Sequence, residues 1–224
     1  MPKRRQPPSG GAGLTRRHFL YAGSLLALPS LTHALCRPTA GDILGPYYRF
    51  GAPFLARLAS AEEPGERLEI TGTVLSADCQ TPVGNALVEI WQANSVGQYD
   101  TQTPGNFTDH QHFHLRGMLY TDAQGRYRIE TIMPGRYPVP PNLPGLEQYA
   151  GMTRPAHIHL RVMESLHVPV TLQLYFAGDP HIAGDPWASQ RPDNVIRLEQ
   201  GSDGRRGTFD IGAHNAAMRA GAFD

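Results

Sequence analysis

The segment RGMLYTDAQGRYRIETI, residues 116–132, decides the fold class of this chain. Two short runs of strand-forming residues, 116–121 and 126–132, flank the tetrapeptide 122–125. Gly125 supplies a residue that takes positive φ at little cost, which such turns often need. The segment therefore predicts two β-strands separated by a tight turn.

Runs of the same kind extend in both directions from this segment. Within 67–76, Leu68, Ile70 and Val74 show the alternation of a half-buried strand. Further strands are predicted at 86–93, 157–163, 170–176 and 206–211. The chain has 224 residues with 24 glycines, 20 prolines and no long helical period, which favours an all-β protein. We expect one β-sandwich of mostly antiparallel strands with long active-site loops.

Residues 137–154 form the longest of these loops. Four prolines exclude a central strand there, because proline has no N–H to donate to a sheet: Pro138, Pro140, Pro141 and Pro144. A loop of this length inside a compact domain is usually functional. We expect it to roof a binding site and to help select the ligand.

Directly after this loop, His157 and His159 are two residues apart. On a strand both imidazoles project from the same face, so they can aim at one metal ion. No carboxylate beside them completes the two-histidine, one-carboxylate triad of Fe(II) oxygenases, and two cysteines are too few for a thiolate zinc site. Tyr99 and Tyr137 precede the pair, and phenolate ligation suits a hard, highly charged cation such as Fe(III).

Four local patterns surround these residues: GQY at 97–99, TDAQGRY at 121–127, MPGRY at 133–137 and RPAHIH at 154–159. Together they resemble the intradiol ring-cleavage dioxygenases, most closely the protocatechuate type, from about Leu44 to about Ile211. The loop 137–154 looks longer than its counterpart in the protocatechuate enzymes, which leaves the preferred catechol open. The lack of an added N-terminal helical segment argues against the catechol and hydroxyquinol types.

The resemblance implies Fe(III) held by Tyr99, Tyr137, His157 and His159. It implies a catechol-type substrate and O2 as reactants, with the ring opened between its two hydroxylated carbons to a muconate-type diacid. Tyr137 is then also catalytic, since its counterpart leaves the iron and takes up a substrate proton.

Two further residues match the family's active-site pair. The resemblance implies that Arg154 stabilises charge developing on the substrate ring and that Gln173 assists it. Taken alone, Arg154 also fits a surface salt bridge and Gln173 a solvated strand position. Tyr47 and Tyr48 fit either the mouth of the pocket or aromatic packing of the segment before the first strand.

Residues 1–34 have the layout of a twin-arginine export signal. Arg16 and Arg17 precede an apolar run at 19–28 that is too short to span a bilayer as a helix. We expect export to the periplasm or the extracellular space, an N-terminal arm at 35–65 and the dioxygenase sandwich at 66–224. A disordered basic arm, or a lipoprotein acylated at Cys36, is the alternative.

Without residues 1–34 the chain has 15 basic and 20 acidic residues, a net charge of −5, which argues against a nucleic-acid partner. We expect no membrane association beyond export, and a homo-oligomer is left open. Cys36 and Cys79 are the only cysteines. In an oxidising compartment they favour one disulfide, with two unrelated buried thiols as the alternative.

Two competing interpretations of the site depend on other residues. His110, His112 and His114 would share one strand face and could bind zinc or copper, but the residues before them favour an exposed loop. A copper or zinc hydrolase built on them lacks an obvious general base. A non-catalytic binding module of the prealbumin or carboxypeptidase-regulatory kind explains the strand and turn pattern without explaining the four-residue tyrosine and histidine set.

Overall fold

The structure, a computed structural model, describes residues 1, 3, 39–101, 112–165 and 167–215. The chain divides into two compact units, Met1–Ala34 and Leu35–Asp224. All the elements described here belong to the second unit. No helix within the described ranges is long and apolar enough to cross a membrane. The predicted export signal, the boundaries at 34 and 65 and the predicted localisation fall outside what these ranges test and stay predictions.

The described part of the second unit consists of 14 β-strands and three short 3-10 helices. The strands, in chain order, are β1 Arg67–Leu75, β2 Leu87–Gln92, β3 Arg116–Tyr120, β4 Arg126–Ile132, β5 Tyr137–Pro138, β6 Thr153–Arg154, β7 His157–Met163, β8 His167–Val168, β9 Val170–Phe176, β10 Val195–Ile196, β11 Glu199–Gly201, β12 Gly204–Thr208, β13 Ile211–Gly212 and β14 His214–Asn215. The 3-10 helices are Glu147–Tyr149, Ala188–Gln190 and Pro192–Asn194.

Two five-stranded sheets contain most of the strands. One has the order β10-β9-β7-β2-β3, and the other has the order β11-β12-β1-β13 with β4 also paired to β1. Most neighbouring strands are antiparallel, while β1–β12, β1–β13 and β9–β10 are parallel. The prediction of an all-β, mostly antiparallel fold is confirmed.

The hydrophobic core lies between the two sheets. Ile70 of β1 and Ile129 of β4 are fully buried from one side, and Ile90, Leu160 and Leu172 of the other sheet are buried from the opposite side. Along β1 every second residue is buried, as the period of a strand requires when one face meets the core. This face-to-face packing makes the fold a sandwich.

The turn that separates β3 from β4 connects the two sheets. Asp122 accepts hydrogen bonds at Oδ1 from the backbone N–H groups of Gln124 and Arg126, at 2.9 and 2.8 Å. Gly125 has φ +71°, as its place in the turn predicted. The two strands lie in different sheets, because β3 pairs with β2 and β4 pairs with β1.

The predicted bounds of β4, β7 and β9 are correct, whereas the single strand predicted at 206–211 is wrong. It is divided into β12 and β13, which pair with β1 in one continuous register. Between them the N–H of Thr73 is bonded to Oδ1 of Asp210 at 2.8 Å. A side chain therefore replaces the backbone acceptor and interrupts the ladder.

Residues 39–66 lie outside the regular strands. Their backbone is attached at several points, including Asp42 N–H to Thr171 O at 2.8 Å and Leu55 N–H to Met118 O at 3.0 Å. These attachments fix the position of Tyr47 and Tyr48. Cys79 is disulfide-bonded, and Cys36 lies outside the described residues.

Candidate metal centre

Strand β7 carries His157 and His159 on one face, as predicted. Their ring centroids are 4.8 Å apart, and the residues are 2% and 1% exposed. The alternate residues Ile158 and Leu160 point into the core from the opposite face. Because core packing fixes the strand on one side, the direction of both imidazoles is fixed on the other.

The surroundings of both histidines favour the neutral imidazole. Nδ1 of His157 donates to the carbonyl of Pro155 at 2.7 Å, which leaves the lone pair on Nε2 for a ligand. Burial and the charge of Arg154 lower the pKa of His157 to about 3. Burial, His157 and nearby guanidiniums lower the pKa of His159 well below its ordinary value. The ring of His159 also stacks on Trp91, with centroids 4.6 Å apart.

Tyr99 follows a tight turn at the end of β2. Asn94 accepts the N–H groups of Val96 and Gln98 at its Oδ1, and Gly97 has φ +83°. A Cβ at Gly97 would lie 2.0 Å from the carbonyl oxygen of Arg136, so only glycine fits there. The buried hydroxyl of Tyr99 has no hydrogen-bond partner among the described residues.

Tyr137 is held by a two-stranded ribbon. In the β5–β6 pair, Tyr137 lies directly opposite Arg154, so the ribbon closes the predicted loop at its two ends. The ring centroid of Tyr137 is 5.4 Å from that of Tyr99 and 5.5 Å from that of His157. Its hydroxyl is 3.4 Å from Nε2 of His157. The structure thus brings all four predicted ligands together.

The donor set fits a ferric ion. Burial, with additional effects from neighbouring groups, raises the pKa of Tyr99 well above its ordinary value and also raises the pKa of Tyr137. Two such phenols ionise only when a nearby positive charge stabilises the phenolates, and a trivalent cation provides it. The neutral imidazoles complete a site that would hold Fe(III) through two oxygens and two nitrogens.

The competing histidine array is only partly described. His110 lies outside the described residues, and His112–His114 precede β3 without forming a strand. His114 is instead paired with Glu63, with Nε2 and Oε2 2.6 Å apart. No group of three or more histidine, cysteine, aspartate or glutamate residues in the described ranges is arranged to hold a metal.

Arg154 and Gln173 lie inside the protein, which excludes the surface interpretations of both. They are 3% and 0% exposed. Nη2 of Arg154 donates to Oε1 of Gln173 at 2.7 Å, and the guanidinium carbon lies 4.3 Å from the ring centroid of Trp187. Gln173 is the β9 partner of His159, so sheet register alone brings the pair to the histidines.

Two aspartates that belong to this hydrogen-bond network, Asp185 and Asp42, were not identified by the sequence analysis. Asp185 accepts Nε of Arg154 at 2.5 Å and the backbone N–H groups of Trp187 and Ala188 at 3.0 and 2.8 Å. Tyr175 donates to Asp42 at 3.0 Å. Burial raises the pKa of Asp42 despite this bond. In the sequence, Asp185 stands before Pro-Trp in a loop segment without hydrophobic periodicity, so no pattern singles it out.

The two tyrosines at 47 and 48 have different roles. The ring of Tyr47 stacks on Tyr99, with centroids 4.2 Å apart and planes 11° apart, at the mouth of the site. Tyr48 is buried, donates to Glu89 at 2.9 Å and packs against Trp91. The mouth interpretation holds for Tyr47 and the packing interpretation for Tyr48.

A cavity of about 790 Å³ lies beside the two ligand tyrosines. Tyr47, Tyr99 and Tyr137 line one part of it. Residues of the loop 137–154 line another, as predicted for a roof: Pro138, Val139, Pro140, Pro141, Ala150 and Gly151. The site therefore combines a metal-binding donor set with a space for an organic ligand.

A family model described as Dioxygenase matches residues 43–215. The chain is also 38% identical over 173 residues to a catechol 1,2-dioxygenase of Acinetobacter baylyi, covering 74% of this chain and 55% of that protein. The chain belongs to the intradiol ring-cleavage dioxygenase family. The chain is similarly 37% identical over 142 residues to a protocatechuate 3,4-dioxygenase beta chain of Burkholderia cepacia, covering 60% and 54% of the two chains.

Among solved structures, the chain resembles the dioxygenase domain of a dioxygenase carbohydrate-binding protein fusion from Streptomyces sp. SirexAA-E. The TM-score is 0.66 at 29% identity, over 80% of this chain and 100% of that one. The chain spans about half the length of the two curated relatives. Identity to the catechol relative is 38% over 74% of this chain, and identity to the protocatechuate relative is 37% over 60%, so the expected closer likeness to the protocatechuate type stays a prediction.

Proposed function

We propose that this chain is a non-haem Fe(III) intradiol dioxygenase. It opens the ring of a catechol-type substrate between the two hydroxylated carbons, using O2, and releases a muconate-type diacid. The observation that carries the proposal is the convergence of Tyr99, Tyr137, His157 and His159 beside a cavity that admits an organic ring. Relatives named as catechol and protocatechuate dioxygenases support it.

Tyr99, Tyr137, His157 and His159 would hold Fe(III), which would supply Lewis acidity toward the catechol. The rest of the chemistry belongs to the protein. Ionised Tyr137 would accept a proton from a catechol hydroxyl and become the neutral phenol, whose hydroxyl is 3.4 Å from His157 Nε2. Tyr47 offers an aromatic surface beside Tyr99, against which a substrate ring can stack.

Arg154 supplies the positive charge of the site. Its guanidinium is fixed by Asp185, Gln173 and the ring of Trp187, so it needs little reorganisation when negative charge develops on the substrate. Buried in a region of low dielectric, that charge acts more strongly than it would in water. We assign Arg154 the stabilisation of charge on the ring, and Gln173 the orientation of Arg154.

The proposal is tested with the iron-loaded protein, catechol and ¹⁸O2. We expect one O2 consumed per catechol, and mass spectrometry should find both labelled atoms in a ring-opened diacid. Absence of ring cleavage would refute the proposal. So would a semialdehyde product, because it arises from opening the ring outside the two hydroxylated carbons.

We also propose that residues 1–34 direct export through the twin-arginine route. The support is the paired Arg16 and Arg17 before an apolar run. Replacing both arginines by lysine should keep the full-length chain in the cytoplasm. Unchanged export of that variant would contradict the assignment.

A further inference from the structure

The cavity beside Tyr99 and Tyr137 is lined, in the described part of the chain, by side chains without formal positive charge. Its polar members are Gln98 and Thr101 together with the three tyrosine rings, and its apolar wall is formed by Pro138, Val139 and neighbouring residues of the same loop. A ring substituent entering this space would meet proline, valine and amide groups.

Four guanidiniums in and around the site form ion pairs with three carboxylates. Arg154 is bonded to Asp185, and Arg116 lies 2.7 Å from Asp100, which also pairs with Arg49. Arg136, next to Tyr137, is 2.9 Å from Asp179. Arg49 and Arg116 share one carboxylate, and none of these four guanidiniums is among the residues that line the cavity.

The sequence supplies no further cation from the adjoining segments. Residues 102–111, which follow Thr101, read QTPGNFTDHQ and contain neither lysine nor arginine. Residues 138–153, which form the apolar wall, also contain neither and include Glu147. The only lysine of the chain is Lys3. The segments that adjoin the cavity-lining residues in sequence are thus free of lysine and arginine.

The size of the cavity points in the same direction. Its volume of about 790 Å³ falls in the range of sites that hold drug-sized ligands, which is more than one six-membered ring needs. Apolar surface that packs against the prolines stabilises binding because it is removed from water. An unpaired carboxylate moved into the same space loses hydration without gaining a partner.

We propose that the preferred substrates are catechols with a bulky, uncharged substituent on the ring, and that a ring carboxylate is discriminated against. This inference rests on the proposed function, because it concerns the same site. The selectivity would come from the neutral wall formed by Gln98, Pro138 and Val139. With this preference the protein would differ from an enzyme specific for 3,4-dihydroxybenzoate.

Two probes of nearly equal shape test the role of charge: 3,4-dihydroxybenzamide and 3,4-dihydroxybenzoate. With the iron-loaded protein we expect kcat/KM to be at least tenfold higher for the amide, and 4-tert-butylcatechol to be cleaved at least as efficiently as catechol. Equilibrium binding of both probes under anaerobic conditions should show the same order. A carboxylate bound and cleaved as well as the amide would overturn the inference.

Gln98→Arg adds a cation to the cavity wall, and Gln98→Met is its neutral control. We expect the benzoate-to-benzamide ratio of kcat/KM to rise at least tenfold in Gln98→Arg relative to Gln98→Met. Equal ratios in the two variants would contradict the inference. Unsubstituted catechol separates failure of this inference from failure of the proposed function. If catechol is cleaved but the charge preference is absent, only the inference fails. If catechol is not cleaved, the proposed function fails as well.

Discussion

Arg154 and Asp185 form an ion pair with almost no exposure to solvent, in which Nε lies 2.5 Å from Oδ2. Their side chains are 4% and 0% exposed. Asp185 is itself fixed by two backbone N–H groups of the following turn. The carboxylate therefore sets the plane of the guanidinium and leaves Nη2 for Gln173. Asp185 does not line the cavity, so it acts through Arg154 as a positioning residue.

Replacing Asp185 by asparagine should lower kcat about 10- to 100-fold, because small displacements of an oriented group have effects of that size. KM should change by less than about threefold, since Asp185 makes no contact with the cavity. Steady-state kinetics with catechol, at a temperature well below the unfolding midpoint, measures kcat and KM separately. Asp203→Asn on the exposed surface is the control, and a loss confined to thermal stability in Asp185→Asn would contradict a positioning role.

Tyr137→Phe and His159→Ala should each abolish ring cleavage while the domain remains folded. Each removes one donor from the four that surround the site, and neither breaks a strand. Circular dichroism measures whether each variant folds, metal analysis after reconstitution measures its iron content, and an assay of ring cleavage measures its activity. Tyr120→Phe, on an exposed tyrosine, should retain both iron and activity. Retained ring cleavage in both site variants would refute the assignment of the ligands.

Gly45→Ala should disturb the site more than Gly145→Ala does. Both glycines have positive φ, at +75° and +79°, so either substitution should lower the free energy of unfolding by about 1 kcal/mol. A Cβ at Gly45 would also lie 3.1 Å from Cε1 of His159, whereas the space around Gly145 is open. We expect weaker iron binding in Gly45→Ala alone. Equal iron affinity in the two variants would show that Gly45 does not hold the His159 ring in place.

Asp100 should make the fold sensitive to acid. Burial raises its pKa, but hydrogen bonds and charge from Arg116, the His114 N–H and Arg49 outweigh burial and lower the pKa below 3.8. A depressed pKa in the folded state contributes stability that is complete above the unfolded value and is lost as the pH falls through the folded one. Asp100→Asn should therefore cost roughly 3 kcal/mol at pH 7.

The same variant should show a flatter decline in stability below pH 4, because the group that gains a proton there is absent. Denaturant unfolding at pH 7, 4 and 3 for the wild-type chain and for Asp100→Asn measures both effects. Parallel declines in the two proteins would show that Asp100 does not control the acid response.

The parts of the fold that sequence predicted well are those encoded by neighbouring residues. Short runs of strand-forming residues predicted the bounds of β7 and β9, and the spacing of His157 and His159 placed both on one face. The family resemblance singled out Gln173, and sheet register places it opposite His159. The family resemblance supplied the two tyrosines, whose convergence no local pattern predicts.

The missed features depend on contacts between distant segments. Asp185 meets Arg154 across 31 positions, and Tyr175 meets Asp42 across 133. Neither aspartate belongs to a periodic run, so hydrophobic pattern gives no reason to single them out. The division of β12 from β13 was missed for a related reason. It depends on an Asp210 side chain that accepts an N–H from Thr73 of another strand.

A visible absorption spectrum with metal analysis, before and after anaerobic addition of catechol, tests the central claim most directly. We predict about one iron per chain, a red-brown tyrosinate-to-iron band, and a shift of that band when catechol binds. Loss of the band in Tyr137→Phe would tie it to the ligand. A protein that stays colourless after iron reconstitution would contradict a ferric centre built from Tyr99, Tyr137, His157 and His159.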